Sequence, residues 1–330
     1  MNGADLTIVM YHYVRPIADS GHPRIKGLEL DLFRAQLEYM RRHYNPVSVE
    51  ELLASGRSGN PIPPRSILLT FDDGFSEHHE HAAPLLRSFG FSGAFYPPSC
   101  AVLDRRALEV HKIHYILAST GTPSHLVEKM EALILNAPAE QGLLPLAEYR
   151  ERHWRSSRFD PAEVIYVKRM LQHELPAPLR SEVCDALFRE YVSSDPADFA
   201  DSLYLDLDQL REMVDWGMHV GSHGHDHVWL EHLDREGQKA DIEWSLTMLK
   251  QIGVGTDWSF CYPYGSYNQQ TLDTLTELGC VLAFTTRVAL AQLHEGPPWL
   301  TLPRLDTNDL PKDAYARPNR WTQQALEAQG

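Results

Sequence analysis

The sequence predicts an α/β fold, a distorted (β/α)7-type barrel interrupted by a helical insertion, and three observations predict it. Short apolar strand candidates alternate with amphipathic segments about seven times, the pattern of a parallel sheet or barrel. One stretch, from about Leu103 to Ser202, holds helical patterns with almost no strand pattern. The 330 residues suit one large domain, and single α/β barrels reach this size.

In chain order, strands are expected at Leu6–Met10, Ser66–Phe71, Gly93–Tyr96, Met218–Gly221, Trp258–Tyr262, Val281–Thr285 and Trp299–Leu305. Between them, Glu29–Arg42 places Leu32, Leu37 and Met40 near one helical face. Ile242, Leu246 and Leu249 repeat at i, i+4 and i+7 in a later helix. Gly279 follows a helix carrying Leu272, Leu275 and Leu278, as a C-cap would. Within the insertion, helices are expected at Val164–Leu171 and Leu179–Val192, with Pro176, Pro178 and Pro196 as punctuation. The expected organisation is therefore barrel over 1–102, inserted helices over 103–202, and barrel again over 203–330. The insertion would cap the barrel mouth or build a homo-oligomer contact.

Thirty Lys+Arg stand against 45 Asp+Glu, a net charge of −15, which argues against nucleic acid or an anionic membrane surface as partner. No run approaches the roughly 20 apolar residues that span a bilayer. Residues 1–5 carry no basic segment before the first strand, so a cytoplasmic protein is expected. Cys100, Cys184, Cys261 and Cys280 are scattered without a CxxC pair and read as reduced thiols. The 17 histidines are the unusual entry in the composition, and they cluster.

The strongest local feature is Leu68-Leu69-Thr70-Phe71-Asp72-Asp73-Gly74, an apolar strand running into two carboxylates and a glycine. Barrel active sites lie at such C-terminal strand ends. Adjacent acids there point different ways, so one can bind a cation while the other moves a proton. Gly221-Ser222-His223-Gly224-His225-Asp226-His227 also follows a strand directly. His223 and His227 are separated by three residues, and one helical turn would bring both imidazoles to the same side. With Asp73 they form a two-histidine, one-carboxylate set that leaves positions open for water and substrate. Asp72 then stands beside that water as a base.

These segments resemble the first two motifs of the NodB-homology polysaccharide deacetylases, carbohydrate esterase family 4. Cys261-Tyr262-Pro263-Tyr264-Gly265 is similar to the third motif. The resemblance implies Asp72 as catalytic base, Asp73, His223 and His227 on a divalent metal, zinc, and the Tyr264 amide in an oxyanion hole. Pro263, Tyr264 and Tyr96 are expected against substrate. Three positions depart from the family: Gly224 replaces Ser or Thr, Cys261 replaces Arg, and the late Leu-x-His motif has no match, Leu293-His294 lacking its spacing. Val9-Met10-Tyr11-His12, however, resembles the start of the circularly permuted poly-N-acetylglucosamine deacetylases. That assigns the general acid to His12. Leu302-Pro303-Arg304 resembles the same branch, with Arg304 orienting a carboxylate.

The implied activity is removal of an N-acetyl group from an acetamido sugar or glycan precursor during surface-glycan synthesis. Two alternatives stay open. One is a non-haem iron oxygenase using His232, Asp234 and His294; the other is a sugar-binding relative without catalysis. His78, His79 and His81 read as surface residues, and His225 as a spectator within its motif.

Overall fold

The computed structural model describes residues 5–138, 142–157, 160–293 and 296–327. It shows an α/β fold with a central mixed sheet and helical insertions. Eight strands position the site: β1 Asp5–Tyr11, β2 Ser66–Asp72, β3 Gly93–Tyr96, β4 His219–Val220, β5 Ser259–Cys261, β6 Leu282–Phe284, β7 Trp299–Leu302 and β8 Leu305–Asp306. Each expected strand overlaps an observed one. The last is divided, because Pro303 lacks an amide for a ladder and Arg304 turns its side chain inward.

The pairing is parallel wherever the site is built. β2 lies between β1, in register Tyr11↔Phe71, and β3, in register Asp72↔Tyr96. β3 pairs with β4, and a Ser222↔Phe260 bridge leads on to β5. β5 pairs with β6 and β6 with β7, while β8 returns to β1 through Val9↔Leu305. Ala291–Gln292 runs antiparallel to β1 and makes the sheet mixed. This order is consistent with a distorted (β/α)7 barrel. Parallel strands share one direction, so their C-terminal ends converge on one side.

All seven residues of β2 are buried, as expected for a strand covered on both faces. Phe71 stacks between Tyr11 and Phe95, with centroids 5.0 and 4.7 Å away. Helix Leu30–His43 buries Phe33, Leu37 and Met40, an i, i+4, i+7 stripe; Leu32, expected on that face, is 40% exposed. Helix Arg235–Gln251 buries Ile242 and Leu249. Gly279 adopts φ 80° just past helix Gln269–Glu277, the left-handed turn that ends it.

Ile17–Lys26 and Ala107–Ala200 form one compact unit, and the rest of the described chain forms another. The first is helical, with Ile113, Leu126, Met130, Tyr166 and Leu187 in a core of its own. The sequence alone does not set Ile17–Lys26 apart from 1–102. Among the described residues, no helix is long and apolar enough to cross a membrane.

Candidate active site

The site lies in the strand-bearing unit. Asp72 ends β2 and Asp73 begins the turn after it, with φ 74° at Asp73 and 66° at Gly74. A side chain at Gly74 would collide with Pro97, whose Cβ would lie 2.5 Å from it. Asp tolerates the left-handed conformation better than most residues, and the Asp73 amide donates to the Tyr96 carbonyl at 3.1 Å. This turn sends the two carboxylates to different partners.

Asp72 meets Arg304. Nη1 donates to Oδ1 at 2.8 Å and Nη2 to Oδ2 at 2.7 Å, with both residues buried. The guanidinium also donates to Thr70 Oγ1 and to the Thr285 carbonyl, each at 3.0 Å. The Cys261 thiol adds a contact of 3.4 Å to Oδ2. Burial alone would raise the Asp72 pKa, but the Arg304 charge and hydrogen bonds outweigh it and hold the carboxyl at about 2. His223 and His12 pull the same way. The counter-charge to Asp72 is thus supplied by Arg304.

Asp73 meets the histidines. Its Oδ1 lies 3.6 Å from His223 Nε2 and 3.4 Å from His227 Nε2. His223 Nδ1 lies 2.7 Å from the Cys261 carbonyl. A carbonyl only accepts, so Nδ1 carries a proton, and Nε2 is the ring atom turned toward Asp73. The three donor atoms lie within 4.8 Å of one another. Two imidazole nitrogens and one carboxylate oxygen are a donor set for a divalent transition metal. Asp72, His223 and Cys261 also lie within that reach. Both Asp72 oxygens, however, already receive Arg304, whose charge would repel an ion.

The histidine loop is held from a distance. Asp241, on helix Arg235–Gln251, accepts from the amides of His225 at 3.0 Å and Asp226 at 2.8 Å. Gly224 has φ 72°, and a Cβ there would stand 2.6 Å from Asp241 Oδ2. The carboxylate occupies the space a Ser or Thr side chain would need. Nothing near the motif announces Asp241, and the sequence reading missed it.

The remaining expected residues divide. His12 directly follows β1 and lies near enough to Asp72 to lower its pKa. Pro263 is buried in the Pro263–Gly265 turn, where Tyr264 takes φ 59°. The Tyr264 ring stacks on Trp229 at 4.6 Å and 3°, and meets His227 edge-on at 4.7 Å. Tyr96, expected against substrate, is instead wholly buried. Its hydroxyl lies 2.9 Å from Ser259 Oγ, which is 2.6 Å from His219 Nε2, and His219 Nδ1 is 2.8 Å from Glu50. The row resembles a serine–histidine–acid relay, but Ser259 is fully buried and its oxygen meets two partners. It ties β3, β4 and β5 together beneath the site.

Three other histidine readings are corrected or placed. His78, expected at the surface, is fully buried and contacts the His12 carbonyl at 2.8 Å. His79 pairs with Glu212 at 2.9 Å and stacks on Trp216. His232 stacks on Trp229, and Asp234 caps helix Arg235–Gln251 by accepting from Gly237 N at 2.8 Å. Neither belongs to a metal-holding group among the described residues; His294 lies outside those residues.

Residues 190–283 match the family model for polysaccharide deacetylases, a span holding the histidine loop and the Pro263–Gly265 turn. Over 80 residues, 24% of this chain, there is 28% identity to the poly-beta-1,6-N-acetyl-D-glucosamine N-deacetylase of Escherichia coli (strain K12). The chain spans 12% of that relative's length. The fold is similar to Streptococcus pyogenes deacetylase PplD in complex with acetate, at 18% identity and TM-score 0.57 over 99% of both chains. IcaB from Ammonifex degensii gives 18% identity and TM-score 0.53, over 100% of this chain and 99% of that one. A de-N-acetylase from Aggregatibacter actinomycetemcomitans gives 14% and 0.54, over 98% and 100%. At these identities the likeness concerns the fold. Family match and site geometry together support a deacetylase-type hydrolase, and the metal triad is consistent with a metal-dependent mechanism.

Proposed function

We propose that this chain, a CE4/NodB-type polysaccharide deacetylase superfamily member, removes acetyl groups from an N-acetylated sugar or glycan precursor in surface-glycan assembly. The observation that carries the reading is the division of labour between adjacent carboxylates. Asp72 is held ionised by Arg304, and Asp73 faces the Nε2 atoms of two histidines at 3.6 and 3.4 Å. The metal we favour is zinc, on the two-imidazole, one-carboxylate donor set, within a distorted (β/α)7 barrel.

When bound, the ion supplies Lewis acidity, acidifying water and polarising the acetamide carbonyl. Asp72 is a weak base with its pKa at about 2, so it suits a water that is itself acidified. It takes the proton as the water oxygen bonds to the carbonyl carbon. The Tyr264 amide donates to the developing oxyanion. His12 then protonates the nitrogen as the C–N bond breaks, leaving acetate and a free amine. Pro263 and the Trp229–Tyr264 stack flank the sugar. The circularly permuted poly-N-acetylglucosamine branch is the layout we favour, because His12 directly follows the first strand and Arg304 lies just before β8.

Acetate release from short N-acetylglucosamine oligomers tests this reading. The zinc-loaded chain should release acetate, chelation should stop it, and Asp72→Asn should lower kcat by about 10²–10⁴-fold with the fold intact. Full activity in Asp72→Asn would overturn the mechanism.

A further inference from the structure

Two buried side chains beyond the Asp72–Asp73 turn have no part in the chemistry above. Glu77 and His78 lie at the start of a π-helical stretch, His78–Ala82, and both reach back to the segment leaving β1. His78 Nε2 lies 2.8 Å from the His12 carbonyl oxygen, which can only accept, so the imidazole proton sits on Nε2. Nδ1 is buried without a hydrogen-bond partner. The ring is caged by Phe71, Phe75 and Phe95, with centroids 5.5, 5.6 and 5.6 Å away. Three residues beyond His12, Arg15 Nη2 lies 3.4 Å from Glu77 Oε2, and Glu77 is 2% exposed.

We propose that His78 and Glu77 are positioning residues for His12. Between them they fix both ends of the His12–Arg15 segment and so aim the His12 imidazole at the leaving nitrogen. The proposal rests on the reading of His12 as general acid.

Packing alone would explain a ring in that cage, but it would be better served by phenylalanine. An imidazole there leaves one polar atom unpaired, and that is costly unless the other is needed. The bond it makes is to the backbone of His12 itself. Burial lowers the His78 pKa to about 4, against the opposing pull of the His12 carbonyl and Asp73. Near neutral pH, His78 is therefore a constant donor that does not compete for the proton His12 must carry. Glu77 secures the other end through its 3.4 Å contact with Arg15.

The test is a mutant cycle on the zinc-loaded chain of 330 residues. It compares His78→Phe, His78→Gln, Glu77→Gln, His12→Ala and the double variant His12→Ala/His78→Phe. Acetate release from N-acetylglucosamine oligomers is followed together with the 15N imidazole resonances of His12. His78→Phe refills the cage without a donor, and kcat should fall about 10- to 100-fold at unchanged KM and zinc content. His78→Gln keeps an N–H and should recover most of that loss. Glu77→Gln should lower kcat several-fold. In the His12→Ala background, His78→Phe should cost less than about twofold more.

The His12 resonances should show one fixed environment in the wild type and averaging in His78→Phe, a readout that needs no turnover. Equal losses with and without His12, or unaltered His12 resonances in His78→Phe, would overturn the positioning role. Wild-type kcat in His12→Ala would instead overturn the general-acid reading, and the resonances would still report whether His78 holds His12. If His78→Phe does not fold, Arg15→Met replaces it in the same cycle, with the same expected dependence on His12.

Discussion

Arg304 grips both oxygens of Asp72, at 2.8 and 2.7 Å, and neither residue is more than 2% exposed. A buried pair of this kind is costly to break from one side, because the surviving charge has no water to turn to.

Arg304→Met should therefore destabilise the fold by about 3–5 kcal/mol. The folded Asp72 pKa is depressed, from 3.8 to about 2. Its contribution to stability is thus present above pH 3.8 and lost as pH falls through about 2. In the variant, desolvation would dominate, and the acid limb of the rate profile should move to higher pH. Chemical denaturation across pH, with kcat measured alongside, checks both. An unchanged midpoint would contradict the pairing.

Gly224→Ser restores the residue type common in the resembling family, and it should still do harm. The position has φ 72°, and the added Cβ would meet Asp241 Oδ2 at 2.6 Å. A loss of about 1–3 kcal/mol is expected, with weaker zinc binding because the loop carrying His223 and His227 shifts. Asp241→Ala should relieve the clash but leave two amides without an acceptor, so the double variant should recover only in part. Zinc titration calorimetry with thermal melts decides this.

Glu77→Gln should separate stability from turnover. Burial raises the Glu77 pKa to about 7, with Arg15 opposing and Glu80 adding to the rise. The folded state then binds more protons than the unfolded state between pH 4.5 and about 7, so wild-type stability falls as pH rises through that window. The glutamine variant should lack this slope and gain on the wild type at pH 8, while its kcat drops. Melts at pH 5 and 8 measure the slope; equal slopes in both proteins would contradict the assignment.

Tyr96→Phe and Ser259→Ala test the polar row beneath the site. Each should cost about 1–2 kcal/mol of stability and leave KM unchanged. A large rise in KM for Tyr96→Phe would return Tyr96 to the substrate.

Strand ends were readable because their information is local: an apolar run stops and carboxylates or histidines follow. Asp73, His223 and His227 meet in space, on a loop with left-handed residues at Gly224 and His227 and not on the helical turn that the spacing suggests. Partners set by tertiary contact were harder to read. Asp241 stands 14 residues beyond His227 on a separate helix, in an ordinary helical pattern. His78 sits in a Glu-His-His-Glu-His run whose polarity suggests surface, yet the segment leaving β1 and three aromatic rings bury it. Tyr96 ends a strand like its neighbours, but Ser259 on another strand draws its hydroxyl inward. Leu32 and Phe33 differ by one position, which at 100° per residue separates solvent from core.

The separation of 232 positions between Asp72 and Arg304 has a consequence for biosynthesis. The ribosome makes Asp72 well before the counter-charge that it pairs with. Until then the carboxylate cannot settle into the buried position it occupies in the finished molecule without great cost. The same stretch supplies β8, the neighbour of β1. A chain cut short before Arg304 should lack both and remain open to proteolysis, because neither the buried pair nor the last strand pairing can then close.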